Sequence, residues 1–247
     1  VWLFPGQGAQ YAAMSRQLYE QEPVFARAFD EVAEAIGPLP GANGHPWLNT
    51  LIQSAENSGL PSNGHSAASD SAPQNPTRHG GADLRALVFH GSEADLAQTA
   101  LTQPALFAIE YALARWWQHQ GLLPDLLVGH SLGEFTAAVI AGVMPVADAA
   151  RLVALRGQLI QALPAGAMLA VRQPAAKVAP RLPSELSIAT INAPEACVVA
   201  GPEAAIDALA QQLEAEGIAN QRLKTSHAFH SAMMEPAVSP FERAVSR

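Results

Sequence analysis

Gly129-His130-Ser131-Leu132-Gly133 is the segment of this sequence whose residue types and spacing best suit chemistry. It is a G-x-S-x-G pattern, in which flanking glycines let the chain turn sharply from strand to helix and push the serine hydroxyl outward. Five such residues recur by chance in many proteins, so the flanking context matters. The run Leu126-Leu127-Val128 reads as a buried strand and Glu134 to Ala141 as a helix, which is the required order. A hydroxyl held there becomes a nucleophile for acyl transfer once a base takes its proton. The Leu132 amide, at a helix start, is placed to donate to an oxyanion formed at Ser131. His227 and His230, in Ser226-His227-Ala228-Phe229-His230-Ser231, are the candidate bases. His130 directly precedes the serine, so its side chain points elsewhere, and it is a candidate pocket-lining residue.

The bulk properties narrow the function classes. A chain of 247 residues fits one large domain, or one domain carrying a smaller lobe, and 49% apolar residues can build a sizeable core. A formal charge of −8 leaves no basic footprint, which argues against nucleic acid as a partner. An anionic substrate must then be held by a few placed donors. The one cysteine, Cys197, rules out a disulfide framework and reads as a small buried hydrophobe in a reducing compartment. No apolar run reaches the roughly 20 residues that span a bilayer, and no signal peptide is legible, so a cytoplasmic protein without membrane contact is expected. The opening at Val1 and the close at Ala244–Arg247, read as a helix just beginning, suggest a piece of something longer.

The elements that must position these residues follow from periodicity. Val1 to Phe4 reads as a buried strand stopped by Pro5-Gly6-Gln7-Gly8, and Gln17 to Ile36 as one helix. Residues 41–81, rich in Ser, Asn, Gly, Pro and His, read as a low-complexity surface insertion. Only Trp47 to Gln53 could be structured there, and the spacing of His45, His65 and His79 matches no metal-ligand pattern, so no metal is expected. Helices are expected from Thr102 to Gln120, with Pro104 near the start, and from Val146 to Leu163. Between 166 and 226 the order strand, helix, strand, strand, helix, strand is the ferredoxin-like βαββαβ pattern.

Several motifs now occur in one order: Pro5 to Gln10, Thr102-Gln103-Pro104-Ala105, Gly129 to Glu134, Arg156, and His227 to His230. Together they resemble the acyltransferase family that includes malonyl-CoA:acyl carrier protein transacylases and the acyltransferase domains of modular polyketide synthases. The resemblance covers nearly the whole chain outside 41–81. It implies an α/β-hydrolase-like large subdomain over 1–165, a small ferredoxin-like subdomain over 166–226, and a return to the large subdomain over 227–247. It also implies that Ser131 is the nucleophile and His230 its general base and later acid. The Gln7 amide would join that of Leu132 in the oxyanion hole. Arg156 would pair bidentately with the free carboxylate of a malonyl unit, a task suited to its planar fork. Phe229 would crowd the α-carbon, since His-Ala-Phe-His accompanies malonyl and Tyr-Ala-Ser-His methylmalonyl choice. A methyl group discriminates by only about 1–3 kcal/mol, so incomplete selectivity is expected. His227 belongs to that motif, with orienting and packing roles both open, and Gln103 and Asn192 are candidate pocket residues.

The implied reaction is a ping-pong transfer of malonyl from coenzyme A to the phosphopantetheine thiol of an acyl carrier protein, with no bound cofactor. The parent would be a megasynthase with other domains, such as a ketosynthase, in the same chain. In relatives a carbonyl well beyond the histidine orients it. Only 17 residues follow His230 here (247 − 230), so that segment is expected to lie outside this chain. A standalone transacylase of fatty acid biosynthesis is a variant of this reading. A serine thioesterase or hydrolase on the same elbow, and a silent structural domain, are its rivals.

Overall fold

The computed structural model describes residues 1–40 and 81–246. Strand β1 (Trp2–Phe4) leads to helices α1 (Arg16–Gln21) and α2 (Pro23–Ile36), then to the short antiparallel pairing of β2 (Leu39–Pro40) with β3 (Gly81–Ala82). Helices α3 (Leu84–His90), α4 (Glu93–Leu96) and α5 (Thr99–His119) follow, then strand β4 (Leu127–Gly129) and helices α6 (Gly133–Ile140) and α7 (Val146–Gln161). Contacts divide the chain into units Val1–Gln158 and Leu159–Arg247, with the boundary inside α7. The mixed α/β architecture matches the expectation.

In the first unit β1 and β4 pair in parallel, with Phe4 opposite Gly129. Both strands were expected to be buried, yet Leu3 and Val128 are 74% and 45% exposed. Only one face of this ribbon is covered among the described residues. The expected single helix over 17–36 is two, because proline disfavours a helical residue before it. Glu22 is extended (φ −112°, ψ 98°), and Pro23 starts α2 where its missing N–H costs nothing. Helix α5 begins at Thr99, so Pro104 lies inside it rather than in the first turn. Helices α3 and α4 escape sequence reading because they are short. Local caps explain them: Asp83 accepts from the Arg85 amide at 2.7 Å, and Ser92 and Asp95 form a reciprocal capping box.

The core of this unit is the packing of α2 on α5. Phe25, Phe29 and Val32 from α2 meet Phe107, Ala108 and Ala112 from α5, all fully enclosed. Each large side chain so buried contributes about 1.5–3 kcal/mol.

One buried group is not apolar. Glu110 of α5 is 6% exposed and accepts from the Thr136 hydroxyl of α6 at 2.8 Å. Burial pushes its carboxyl up to about 7, and the Thr136 hydroxyl opposes the rise. Because the folded value lies above the unfolded one of 4.5, the protonated form is favoured by folding. Its full stability is therefore present below about pH 4.5 and is lost as pH rises toward 7. Glu110→Gln is expected to flatten that arm of the thermal stability curve between pH 5 and 8, by about 2–3 kcal/mol.

The second unit continues through β5 (Ala167–Val171), α8 (Ala175–Val178), β6 (Ser187–Ala193), β7 (Ala196–Gly201), α9 (Glu203–Ala215) and β8 (Asn220–Arg222). Its sheet is antiparallel with order β6-β7-β5-β8, which is the ferredoxin-like arrangement. Val171, Cys197, Val199, Ile206 and Leu213 fill its core. Cys197 is 1% exposed and its thiol is pushed up by burial, as a packing residue should be. The helix expected to be starting at 244 is instead α10 (Glu235–Val245) reaching its end. Pro236 near its N-terminus is compatible with that start, and Pro240 inside it masked the helical pattern. Trp47–Gln53, His45, His65 and His79 lie outside the described residues.

Candidate active site

Ser131 sits between β4 and α6 with φ +54°, a left-handed conformation that a non-glycine residue rarely holds. The strain is imposed from both sides. The Phe4 carbonyl accepts from the His130 amide at 2.9 Å, pinning the turn to β1. The His130 and Ser131 carbonyls then accept from the Gly133 and Glu134 amides at 3.1 and 3.2 Å as α6 begins. The His130 side chain itself is exposed.

The two elbow glycines are required by space. A Cβ on Gly133 would lie 2.2 Å from the Phe4 carbonyl oxygen, and one on Gly129 2.3 Å from the Glu134 amide nitrogen. Gly133→Ala is therefore expected to destabilise the chain by about 1–3 kcal/mol. It should also slow reaction of Ser131 with serine-directed reagents. Thermal unfolding and intact-mass labelling check the two effects separately.

The glycine turn after β1 meets the elbow. A Cβ on Gly6 would stand 3.0 Å from the His130 carbonyl oxygen and 3.4 Å from Ser131 Cβ. Gln7 directs its side chain inward, where Nε2 donates to Thr99 Oγ1 at 3.4 Å at the start of α5. Its Oε1 is buried without a hydrogen-bond partner among the described residues. Neither the Gln7 nor the Leu132 backbone amide pairs with a backbone carbonyl among those residues. The turn that carries Gln7 thus lies against the serine elbow, and both amides are left without a backbone carbonyl partner among the described residues.

The N-terminal end of α5 also receives the cation. Gln103, 1% exposed, accepts from Arg156 Nη1 at 2.7 Å through its Oε1. A Cβ on the adjacent Gly157 would lie 2.9 Å from the Thr99 carbonyl oxygen, so α7 rests directly on α5 there. Burial lowers the basicity of Arg156, and no carboxylate pairs with it among the described residues. Arg151 differs: it is exposed and lies 3.4 Å from Asp148. A chain of contacts therefore links Ser131, Gln7, Gln103 and Arg156 within the first unit.

In the second unit His230 also has positive φ, +57°, and its side chain is exposed. His227 is 4% exposed and held at both ring nitrogens. The Leu163 carbonyl can only accept, so Nε2 donates to it at 3.2 Å and Nδ1 faces Ser226 Oγ at 2.8 Å. Burial lowers its basicity, with the Leu163 contact opposing. His227 is thus a packed residue whose neutral form is favoured by burial. Phe229 is 7% exposed, among Ile160, Met168 and Val198. Asn192 is exposed on β6. The residue that sequence reading missed is Glu110, which carries no motif and looks like any helical glutamate. Among the described residues no acidic, histidine or cysteine cluster could hold a metal ion, and no helix is long and apolar enough to cross a membrane.

A strained serine on a strand–helix elbow, with a glycine turn packed against it, is the arrangement of a serine enzyme that transfers acyl groups. The chain belongs to the acyl transferase domain family, which matches residues 1–246. Proteins similar to it include polyketide synthases. It is 40% identical over 246 residues to the phenolphthiocerol synthesis polyketide synthase type I Pks15/1 of Mycobacterium marinum, covering 99% of this chain and 10% of that protein. It is 38% identical over 242 residues to the mycoketide-CoA synthase of Mycobacterium tuberculosis, covering 98% of this chain and 5% of that protein. The chain therefore spans a tenth or less of these two relatives. Among solved structures, the acyltransferase domain from the second module of the salinomycin polyketide synthase matches with TM-score 0.78 and 41% identity. That match covers 98% of this chain and 48% of the other. The crystal structure of MCAT from Streptococcus pneumoniae matches with TM-score 0.72 and 29% identity, covering 99% of this chain and 69% of that one.

Proposed function

We propose that this domain transfers a malonyl extender unit from malonyl-CoA to the phosphopantetheine thiol of an acyl carrier protein. The observation that carries the choice of acyl group is Arg156: a largely buried guanidinium, oriented by Gln103 and lacking a carboxylate partner among the described residues. A buried cation without a counter-charge is costly, and a substrate carboxylate would offset that cost. Acetyl and fatty acyl units have no such group.

In the proposed cycle His230 takes the Ser131 proton as Oγ bonds to the thioester carbonyl carbon, while the Gln7 and Leu132 amides hold the oxyanion. The carbon–sulfur bond then breaks, and His230 protonates the departing coenzyme A sulfur. The carrier thiol next gives its proton to His230 and attacks the malonyl-serine ester, and Ser131 leaves with that proton. Arg156 holds the distal carboxylate throughout. Phe229 and His227 belong to the specificity motif; the packing of His227 favours an orienting role for it. No metal or bound cofactor is required by these steps. The setting is a cytoplasmic synthase with other domains, such as a ketosynthase, in the parent chain, in keeping with the names of the relatives. A malonyl-transacylase structure bound to a type II acyl carrier protein also matches this chain, at 30% identity and TM-score 0.72, which supports the carrier as partner.

The test is parallel incubation with malonyl-CoA, methylmalonyl-CoA and acetyl-CoA, followed by intact mass and by transfer to a holo carrier protein. A malonyl adduct that persists in water and moves to the carrier supports transfer. Rapid loss to free malonate with no carrier loading would instead make the domain a hydrolase.

A further inference from the structure

We infer that Glu110 is a positioning residue for the nucleophile elbow: its bond to Thr136 fixes α6, and with it the Ser131 hydroxyl and the Leu132 amide, in the orientation that acylation needs. The inference rests on the proposed role of Ser131. Glu110 follows Gln103 by seven residues on α5, which places it two turns further along the same helix face, about 10 Å away. Thr136 lies in the first turn of α6, five residues after Ser131. The pair is enclosed, with Thr136 fully buried, and the hydroxyl donates to Glu110 Oε2 at 2.8 Å.

The surroundings explain why a directional bond is useful here. Next to this pair, Ala114 of α5, Ala137 of α6 and Phe4 of β1 form a small cluster. Leu132, Phe135, Val139 and Ile140 pack this segment into the core, but apolar contacts are non-directional, and on the side facing α5 the small alanines leave a hydrogen bond as the directional restraint. Rotation of α6 would swing Ser131 and Leu132, because the elbow is its direct extension. The Phe4 carbonyl fixes the entry to the turn. The Glu110–Thr136 bond fixes the helix one turn later.

Stability does not account for this pair. Glu110 Oε1 is buried without a hydrogen-bond partner among the described residues. An apolar pair of similar shape would remove that unpaired oxygen and the cost of burying the carboxyl. Retaining a polar pair in this place therefore serves orientation.

The test uses the whole chain and two reactions of Ser131: labelling by a fluorophosphonate, which needs only a competent nucleophile and oxyanion hole, and acylation by malonyl-CoA. Glu110→Leu and Thr136→Val are expected to slow both reactions about tenfold or more, since small misplacements of reacting groups cost that much. The malonyl-CoA concentration for half-saturation should not move, and the melting temperature of the double variant, which leaves no unpaired group behind, should not fall. Thr136→Ser, which restores the donor, should recover wild-type rates, and the double variant should be no slower than either single one. Labelling within about twofold of wild type in folded Thr136→Val, or slow labelling that Thr136→Ser fails to rescue, would overturn the inference. If Glu110→Leu does not fold, the Thr136 pair alone decides. A wild type that is labelled but takes no malonyl removes the proposed substrate and leaves the labelling comparison to judge Glu110. A wild type that resists labelling overturns the inference outright, because there is then no competent elbow to position.

Discussion

Replacing Ser131 with alanine is expected to abolish the malonyl adduct and to lower carrier loading by about 10⁴-fold or more. The size follows from what is removed. The amides of Gln7 and Leu132 and the cation at Arg156 would still bind the thioester, but no atom would remain to form the ester. Binding is therefore expected to persist while turnover disappears, and calorimetric titration with malonyl-CoA together with intact mass separates the two. The substitution also tests strain. Ser131 holds φ +54° in the folded chain, which alanine tolerates no better than serine. Unchanged stability in Ser131→Ala therefore assigns the whole loss to chemistry. A persistent adduct in that variant would remove Ser131 from the proposed role and point to another nucleophile.

The second large effect is expected at Arg156. Arg156→Ala should reduce malonyl transfer about 100-fold or more, because loss of a buried charge pair costs about 3–5 kcal/mol. Acetyl-CoA, with no carboxylate, should be unaffected or used better, so the preference between the two inverts. Lysine should recover only part of the activity, since a point charge cannot match the two-oxygen fork. The free protein supplies an independent check. Removing a buried cation that has no carboxylate partner among the described residues should leave the melting temperature at or above that of wild type. A residue kept for packing would instead destabilise the chain when truncated. Equal losses toward malonyl and acetyl would count against the carboxylate role and leave Arg156 as a structural residue of α7.

Much of this molecule is readable locally. The elbow is legible because its glycines, its serine and the flanking strand and helix are contiguous. The βαββαβ order of 166–226 is legible because apolar strand runs and the long helix α9 alternate between turn residues, although α8 itself has only four residues. Short or proline-bearing elements are not. Helices α3 and α4 run for seven and four residues and are held by Asp83, Ser92 and Asp95. Pro23 divides what periodicity alone reads as one helix, and Pro240 hides α10. Exposure was misjudged at β1 and β4, because an apolar strand announces a tendency to be covered and not whether a neighbour covers it.

The sequence by itself determined the elbow serine, the glycines that permit its turn, the family resemblance and the ferredoxin-like order. All of these are set by residues adjacent along the chain or by regular repeats of side-chain type. Only the tertiary structure decided that the start of α5 gathers the Gln7 turn and the Arg156 cation. Gln7 meets Thr99 across 92 residues and Arg156 meets Gln103 across 53. It alone paired Glu110 with Thr136 across 26 residues and left one carboxylate oxygen unpartnered among the described residues. Such pairings have no period. They arise when apolar faces collapse and bring polar groups together at separations that no local pattern encodes, and burial then makes Glu110 easier to protonate and Arg156 less basic.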